Sequence, residues 1–330
     1  MKRFRDFGMI TAALVLLLGI SAMVFAENKS PMFSRQVPGG LFAVINETQT
    51  TGNIWFVDSG SSNASDAAGY GQNPDAPFAT IDYAIGQCTA SNGDWIVVMP
   101  GHAESISSAA GINVDVAGIR IIGLGVGDSR PVLSWTGAAG TLRINTTDFQ
   151  ISNFVFRVGD ALSGVSVVKG IEIRSGASNV AIANSDFMVA STSGATVCAL
   201  PIDISESNKT YVTDCRFFGT HNAAAVGGTG VTAVIRAGNR ADNLQIKNCY
   251  FDSATGNTPF ALIQAISGAS GFLADGLTAR QNNPGASPWN IGNSVEGIIK
   301  QTAISTEAID GRTGVTWFTA RKAAFNNNSD

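Results

Sequence analysis

Two acidic residues and one arginine are the strongest candidates for chemistry in this sequence. Glu172 and Asp203 each stand between two isoleucines, and Arg236 directly follows another isoleucine. Side chains in a β-strand point alternately to opposite faces, so the isoleucines predict a buried face and the charged residues an outer one. Two carboxylates on adjacent strands could share a cation such as Ca²⁺ or raise one another's pKa. Glu172 and Asp203 are therefore a candidate Ca²⁺ pair, and the sequence identifies no definite metal or cofactor.

Aligning the strands predicts two polar rows on this outer face, separated by an inward isoleucine stack. The stack consists of Ile144, Ile173, Ile204, Ile235 and Ile263. The first row consists of Arg143, Glu172, Asp203, Val234 and Leu262. The second row consists of Asn145, Arg174, Ser205, Arg236 and Gln264. The alternative is a water-facing sheet that is simply polar, in which opposite charges on neighbouring strands stabilise it weakly.

The strands that carry these rows belong to an internal repeat. Its pattern is an aliphatic residue, any residue, Asn or Asp, two variable residues and then usually Phe. The Asn or Asp positions are Asn153, Asn184, Asp214, Asn248 and Asp275, which are 31, 30, 34 and 27 residues apart. A period of this length indicates a repeat architecture. Asn tolerates the left-handed conformation that a sharp turn requires, so we expect Asn184 and Asn248 to be buried at turns.

The repeat resembles the right-handed parallel β-helix of the pectate-lyase-like proteins, with its asparagine ladder, over roughly residues 50–305. The resemblance implies an all-β fold, a right-handed single-stranded parallel β-helix (a solenoid). In enzymes of this fold, the face equivalent to the two rows carries the cleft, where acidic side chains hold Ca²⁺ or act as acid and base. The implied catalytic residues are Glu172, Asp203 and Arg236, with Arg236 as the base. The implied substrate-binding residues are Arg143, Arg174 and Gln264.

A short capping helix is predicted before the first coils. Phe78, Ile81, Ile85 and Cys88 recur at helical spacing, and Asp75 is a candidate N-cap. The end of a solenoid exposes its core, which something must cover. The order strand, loop, short helix, Gly-Asp, apolar strand and Pro-Gly resembles the N-terminal cap of pectate-lyase-like proteins. The stretches 75–88, 93–95 and 100–104 also resemble a group of β-helix proteins encoded by tailed phages, over roughly residues 50–125.

The sequences at the two ends of the chain indicate further segments outside the repeat. Lys2, Arg3 and Arg5 precede an apolar run that ends in Val24-Phe25-Ala26, the pattern of a secretory signal peptide. We therefore expect a signal peptide over 1–26, an extended arm over 27–52, the β-helix with its cap over 53–305, and a C-terminal cap and tail over 306–330. The expected location is secreted or at the cell surface, with no membrane attachment after cleavage; an apolar segment retained as an anchor is the alternative to cleavage. A virion is the alternative location.

The net charge and the cysteines bear on the partners and the cross-links of the protein. The net charge is −4 and no basic stripe is present, which argues against a nucleic-acid partner. Cys215 and Cys249 occupy the same repeat position on successive coils. At a strand separation of ~4.8 Å they could form a disulfide or stack as two thiols, and both alternatives stay open.

Two classes of function fit the sequence. The first is a secreted or virion-associated structural β-helix that binds a polysaccharide or cell-surface glycan. The second is a polysaccharide lyase or glycoside hydrolase, so enzymatic activity is left open. An oligomer is compatible with both classes. A fold alone does not determine which reaction, if any, a protein catalyses.

Overall fold

The computed structural model describes residues 50, 52–160, 162, 166–190, 196–218, 232–238, 240–253, 261–265, 270–281, 289–291, 297–300, 302–306 and 314–318. The predicted signal peptide, nearly all of the predicted arm and the end of the tail lie outside these ranges. Within them, no helix is long and apolar enough to cross a membrane.

Three sheets make up the described part of the chain, and their strands are parallel with one exception. The ten-stranded sheet contains Ile54–Val57, Trp95–Val98, Arg120–Gly123, Thr147–Ser152, Ala177–Ala183, Ser207–Thr213, Ala241–Asp242, Gln245–Lys247, Phe272–Asp275 and Gly297–Lys300. The seven-stranded sheet contains Ile112–Val114, Leu142–Ile144, Ile171–Ile173, Ile202–Ile204, Ala233–Ala237, Ala261–Ala265 and Trp289–Ile291. The nine-stranded sheet contains Ala103–Ile106, Val132–Trp135, Val155–Val158, Asp186–Met188, Arg216–Phe218, Tyr250–Ser253, Thr278–Gln281, Thr302–Thr306 and Gly314–Phe318, the last strand being antiparallel.

The order of the strands along the chain makes this a parallel β-helix. The chain passes through the seven-, ten- and nine-stranded sheets in turn, and the next coil pairs with the previous one. Most coils contribute one strand to each sheet, and the coil after Ser207–Thr213 contributes two short strands, Ala241–Asp242 and Gln245–Lys247, to the ten-stranded sheet. The alternating apolar residues of the strands face one common interior. The predicted all-β solenoid is therefore confirmed.

An aromatic stack fills the interior behind the nine-stranded sheet. Phe156, Phe187, Phe217 and Phe251 lie in one register row on successive coils. Their ring centroids are 4.7, 4.7 and 5.0 Å apart, and neighbouring rings are within 17° of parallel. These are the phenylalanines at the end of the sequence repeat. They face inward, and the residues on either side of them in each strand, which are polar or partly exposed, take the outer face.

The asparagine ladder forms at the turn between the ten- and nine-stranded sheets. Asn153, Asn184, Asp214 and Asn248 all have positive φ, between 47° and 65°. Asn184 donates to Asn153 at 3.4 Å and Asn248 to Asp214 at 3.3 Å. The expected burial is wrong for Asn184 and Asn248, which are exposed, because the turn directs these side chains outward along the stack.

The predicted last member of the ladder is also wrong. Lys247 pairs with Asp275, so Gly276, with φ of +65°, lies opposite Asn248. A Cβ at Gly276 would stand 2.5 Å from Asn248 Oδ1, a distance that only glycine avoids. Asp275 instead ends its strand one position earlier.

A second row of left-handed residues lies within or beside the strands of the ten-stranded sheet, and sequence reasoning missed it. Asp148, Asn179, Lys209 and Asn243 have φ between 53° and 62°. Asn179 donates to Asp148 Oδ1 at 2.7 Å. Such residues interrupt the pleat and bend the strand, as β-bulges do.

The capping helix spans Ile81–Gln87. Its N-cap is Thr80, whose hydroxyl accepts from the amide of Tyr83 at 3.3 Å, so the predicted Asp75 cap is wrong. Ile81 and Ile85 are buried as predicted, and Phe78 is buried just before the helix begins. The helix packs against the first strand of the seven-stranded sheet.

Cys215 and Cys249 are free, buried thiols on adjacent coils, so the disulfide alternative is not formed. Their strands place them side by side, and each thiol donates to a backbone carbonyl at 3.3 Å, Cys215 to Thr213 and Cys249 to Lys247. The adjacent Cys249 thiol and burial hold the pKa of Cys215 well above its usual value.

Candidate functional site

The predicted polar face lies on the outer side of the seven-stranded sheet, where one register row carries most of the charge. The row consists of Asn113, Arg143, Glu172, Asp203, Arg236, Gln264 and Asn290. Glu172 and Asp203 are directly opposite one another, as predicted.

The predicted alignment of the next strand is wrong by two residues. Ile235 lies opposite Ile202 rather than Ile204, so Arg236 lies opposite Asp203, and Gln264 follows in the same row. Arg236 and Gln264 therefore take the places that had been predicted for Val234 and Leu262. A shift of two residues leaves every side chain on the same face, so the alternation of apolar residues does not distinguish the two registers.

Three cations neutralise the two carboxylates. Arg236 donates from Nε and Nη2 to the two oxygens of Asp203, at 2.6 and 2.8 Å. Lys169 Nζ lies 2.8 Å from Asp203 Oδ2 and 2.7 Å from Glu172 Oε1. Arg143 Nε donates to Glu172 Oε2 at 3.1 Å. Lys169 stands just before its strand and was missed; its position three residues before Glu172 was the available signal.

The carboxylates of these ion pairs are largely removed from water. The side chain of Asp203 is 0% exposed and that of Glu172 is 12% exposed. Burial alone would raise the pKa of Glu172, but the hydrogen bonds and charges of Lys169 and Arg143 outweigh it and lower that pKa. Burial would likewise lower the pKa of Lys169, and its bonds to Asp203 and Glu172 raise it instead.

This arrangement does not fit the acid, base or Ca²⁺ chemistry expected of the pair. A general acid needs a carboxyl whose pKa is raised, and the pKa of Glu172 is lowered. Arginine keeps its proton in proteins, and both oxygens of Asp203 hold Arg236, so Arg236 is poorly suited to act as a base. Ca²⁺ would have to displace Lys169 from both carboxylates. Among the described residues, no group of three or more His, Cys, Asp or Glu could hold a metal ion.

The predicted second row is shorter than expected, because Arg236 and Gln264 lie in the first row. Arg174 and Asn145 are exposed, and Asn145 donates to Asn113 at 2.9 Å. Because Arg236 belongs to the Asp203 row, Arg174 does not share a row with a second arginine. Arg174 is the predicted substrate-binding residue that stands most openly in water.

A second charged cluster lies on the outer face of the nine-stranded sheet. Asp186 accepts from Arg216 at 2.7 and 2.6 Å and also from Arg130. Burial would raise the pKa of Asp186, but the bonds from Arg216 and Arg130 outweigh it and lower that pKa. This carboxylate, like Glu172, is a partner in ion pairs rather than a free acid or base.

The buried His102 joins the cap to the solenoid. Its Nδ1 accepts from the amide of Ser59 at 2.9 Å, so Nε2 carries the proton toward Glu104 Oε2, 3.2 Å away. Glu104 also accepts from the amide of Ile81 at 3.0 Å, at the start of the capping helix. The hydroxyl of Ser59 donates to the carbonyl of Ala103, away from the imidazole, so these residues do not form a nucleophile and base.

Comparisons with known proteins give likenesses of fold. No family model and no curated protein matches the chain. A pectin methylesterase in complex with a hexasaccharide matches at 13% identity over 80% of this chain and 85% of its own, with a TM-score of 0.40. A rhamnogalacturonan lyase matches at 13% identity over 82% and 86%, with a TM-score of 0.43. ORF18 of Geobacillus virus E2 matches at 13% identity over 79% and 63%, with a TM-score of 0.25. Values this low carry no information on substrate or activity.

Proposed function

We propose that this chain is a surface β-helix, secreted or virion-associated, that binds acidic glycans without cleaving them. The observation that carries the proposal is the pairing of Glu172 and Asp203 with Lys169, Arg143 and Arg236. Both carboxylates are held by cations, which stabilises the coil stack and leaves neither as a free acid or base. The row is then a rigid platform.

The charge of this platform favours an acidic ligand. Three cations and two carboxylates give the ion-paired part of the row a net charge of +1. Arg174 is an exposed cation beside it, while the exposed carboxylates of Asp115 and Glu206 accept hydrogen bonds from Asn113 and Ser175 nearby. The row is straight and repeats at a coil spacing of ~4.8 Å, which suits an extended polymer. Binding to exposed cations is expected to weaken as salt screens them.

The test is a glycan array followed by titration with polygalacturonate and with a neutral polymer. We expect binding to polygalacturonate that falls with salt and is weakened about tenfold by Arg174→Ala, which removes a charge-assisted contact. Arg157→Ala is the matched control, because Arg157 is an exposed arginine on the nine-stranded face.

The same titrations are followed for unsaturated uronate products and for new reducing ends, with and without Ca²⁺. Turnover that is lost in Glu172→Ala or Asp203→Ala would overturn the proposal in favour of an enzyme. Equal binding by the wild type, Arg174→Ala and Arg157→Ala would remove this face as the glycan site.

A further inference from the structure

An open groove of about 550 Å³ lies on the outer face of the ten-stranded sheet, which is not the sheet that carries the ion-paired row. One side follows a register row over four coils, through Trp95, Arg120, Gln150 and Ala181. Four positions span three coil steps, or ~14 Å along the solenoid. The groove is therefore elongated and parallel to the solenoid axis.

Small and left-handed residues create the space. Ala181 is the smallest side chain of the row and is followed by Tyr211 on the next coil. The other side is lined by Asp148 and Asn179, whose positive φ values of 57° and 53° interrupt the regular pleat. The groove thus follows from the second left-handed row, which bends these strands.

The polar groups of the groove are balanced in charge. The guanidinium of Arg120 lies over the ring of Trp95, 5.7 Å from its centroid. Asn179 donates to Asp148 at 2.7 Å, which fixes the orientation of both side chains. One guanidinium and one carboxylate give a net charge of zero among the lining residues, so the groove favours neither an anion nor a cation.

The chemistry of the lining matches a polyhydroxylated ligand. A sugar hydroxyl both donates and accepts, and Arg120, Gln150 and Asp148 supply planar donors and acceptors along the groove. The volume lies within the ~300–1,000 Å³ range of small-molecule sites. The side chains stand on a sheet and Asn179 is fixed by a hydrogen bond, so little ordering is needed on binding.

We propose that this groove is a second ligand site, which binds a neutral oligosaccharide through Arg120, Gln150 and Asp148. The inference does not depend on the acidic-glycan face, because the two sites lie on different sheets and differ in net charge.

Titration of the full chain with neutral hexasaccharides of glucose and N-acetylglucosamine tests the proposal, with oligogalacturonate as the acidic counterpart. We expect Ala181→Trp to fill the groove and weaken neutral binding at least tenfold. Ala183→Trp is the control, because Ala183 lies two residues along the same strand but does not line the groove. Gln150→Ala is expected to weaken binding about tenfold through the loss of its hydrogen bonds. Thermal melts establish that each variant is folded.

The outcomes separate this site from the acidic-glycan face. Neutral binding that is lost in Ala181→Trp and kept in Ala183→Trp and Arg174→Ala supports the groove. No binding by any neutral hexasaccharide, or equal losses in the two tryptophan variants, overturns it. Saccharide binding that requires a charged sugar and is lost in Arg174→Ala also overturns the groove, while supporting the proposed function.

Discussion

Asp203 and Arg236 are 33 residues apart in the sequence, yet they lie directly opposite each other on adjacent coils and share two hydrogen bonds of 2.6 and 2.8 Å. The predicted register would have placed Val234 opposite Asp203. A buried carboxylate would then have kept Lys169 as its partner and lost the guanidinium. The pair therefore selects one of two registers that the apolar pattern allows equally.

Replacing Arg236 should destabilise the protein more than replacing an exposed arginine. In Arg236→Ala the fully buried Asp203 loses two charge-assisted bonds and keeps Lys169. We expect the free energy of unfolding to fall by about 1–3 kcal/mol, measured by urea denaturation. Arg174→Ala is the control and should change it by about 0.5 kcal/mol or less. If the two variants unfold alike, the ion pair does not stabilise the coil stack.

Acid should destabilise the fold through its paired carboxylates. The pKa values of Glu172 and Asp186 lie below their usual values of 4.5 and 3.8, so their contribution to stability is present above those values. The contribution is lost as pH falls through the lowered folded-state pKa values. Urea midpoints measured from neutral pH into this acid range should fall less steeply for the double variant Glu172→Gln, Asp186→Asn, which should also be less stable at neutral pH.

Asp82 provides a control of opposite sign. Partial desolvation raises the pKa of Asp82 above 3.8, although its side chain is exposed, and the charge of Glu104 contributes further. Its ionised form is disfavoured in the fold, so stability falls as pH rises through its folded-state pKa. The stability of Asp82→Asn relative to the wild type should therefore be greater at neutral pH than at acid pH. A loss at neutral pH similar to that of the double variant Glu172→Gln, Asp186→Asn would contradict this assignment of signs.

The fold could be predicted from the sequence because its determinants repeat. The asparagine position identifies the turn, and the phenylalanine three residues later identifies the inward stack, as Phe156 and Phe187 show. Each coil repeats the same sequence pattern, so a departure from the pattern in one repeat does not obscure the fold.

The site could be predicted only in part, for three physical reasons. A slip of two residues preserves the inward face, so the place of Arg236 was not visible in the alternation. Lys169 precedes its strand, where the alternation of apolar residues does not fix the direction of a side chain, and only its spacing of three residues to Glu172 was a signal. The groove depends on the left-handed conformation of Asp148 and Asn179. Other Asp and Asn residues also lie near strands, so the sequence does not show which of them take this conformation.

The aromatic stack should be the most sensitive part of the core. Phe187 lies between Phe156 and Phe217, with centroid distances of 4.7 Å on both sides. Phe187→Ala removes a fully buried ring and leaves a cavity, so we expect a loss of about 3–5 kcal/mol in the free energy of unfolding. Met188→Ala, at the next position, is the control, because that side chain is 45% exposed. Similar denaturation curves for the two variants would show that the stack does not stabilise the coils.

The capping helix should be required for the solenoid to remain soluble. Ile85 is 1% exposed and belongs to the core that the helix shares with the first coils. In Ile85→Asp a carboxylate would be buried without a partner, so the helix should detach and expose strand edges and core. We expect aggregation in size-exclusion chromatography and a lower melting temperature, as for a deletion of residues 77–90. Gln87→Asp adds the same charge at an exposed position of the helix and should stay soluble. A soluble, cooperatively melting Ile85→Asp would mean that the helix is an appendage and that the first coils are stable without it.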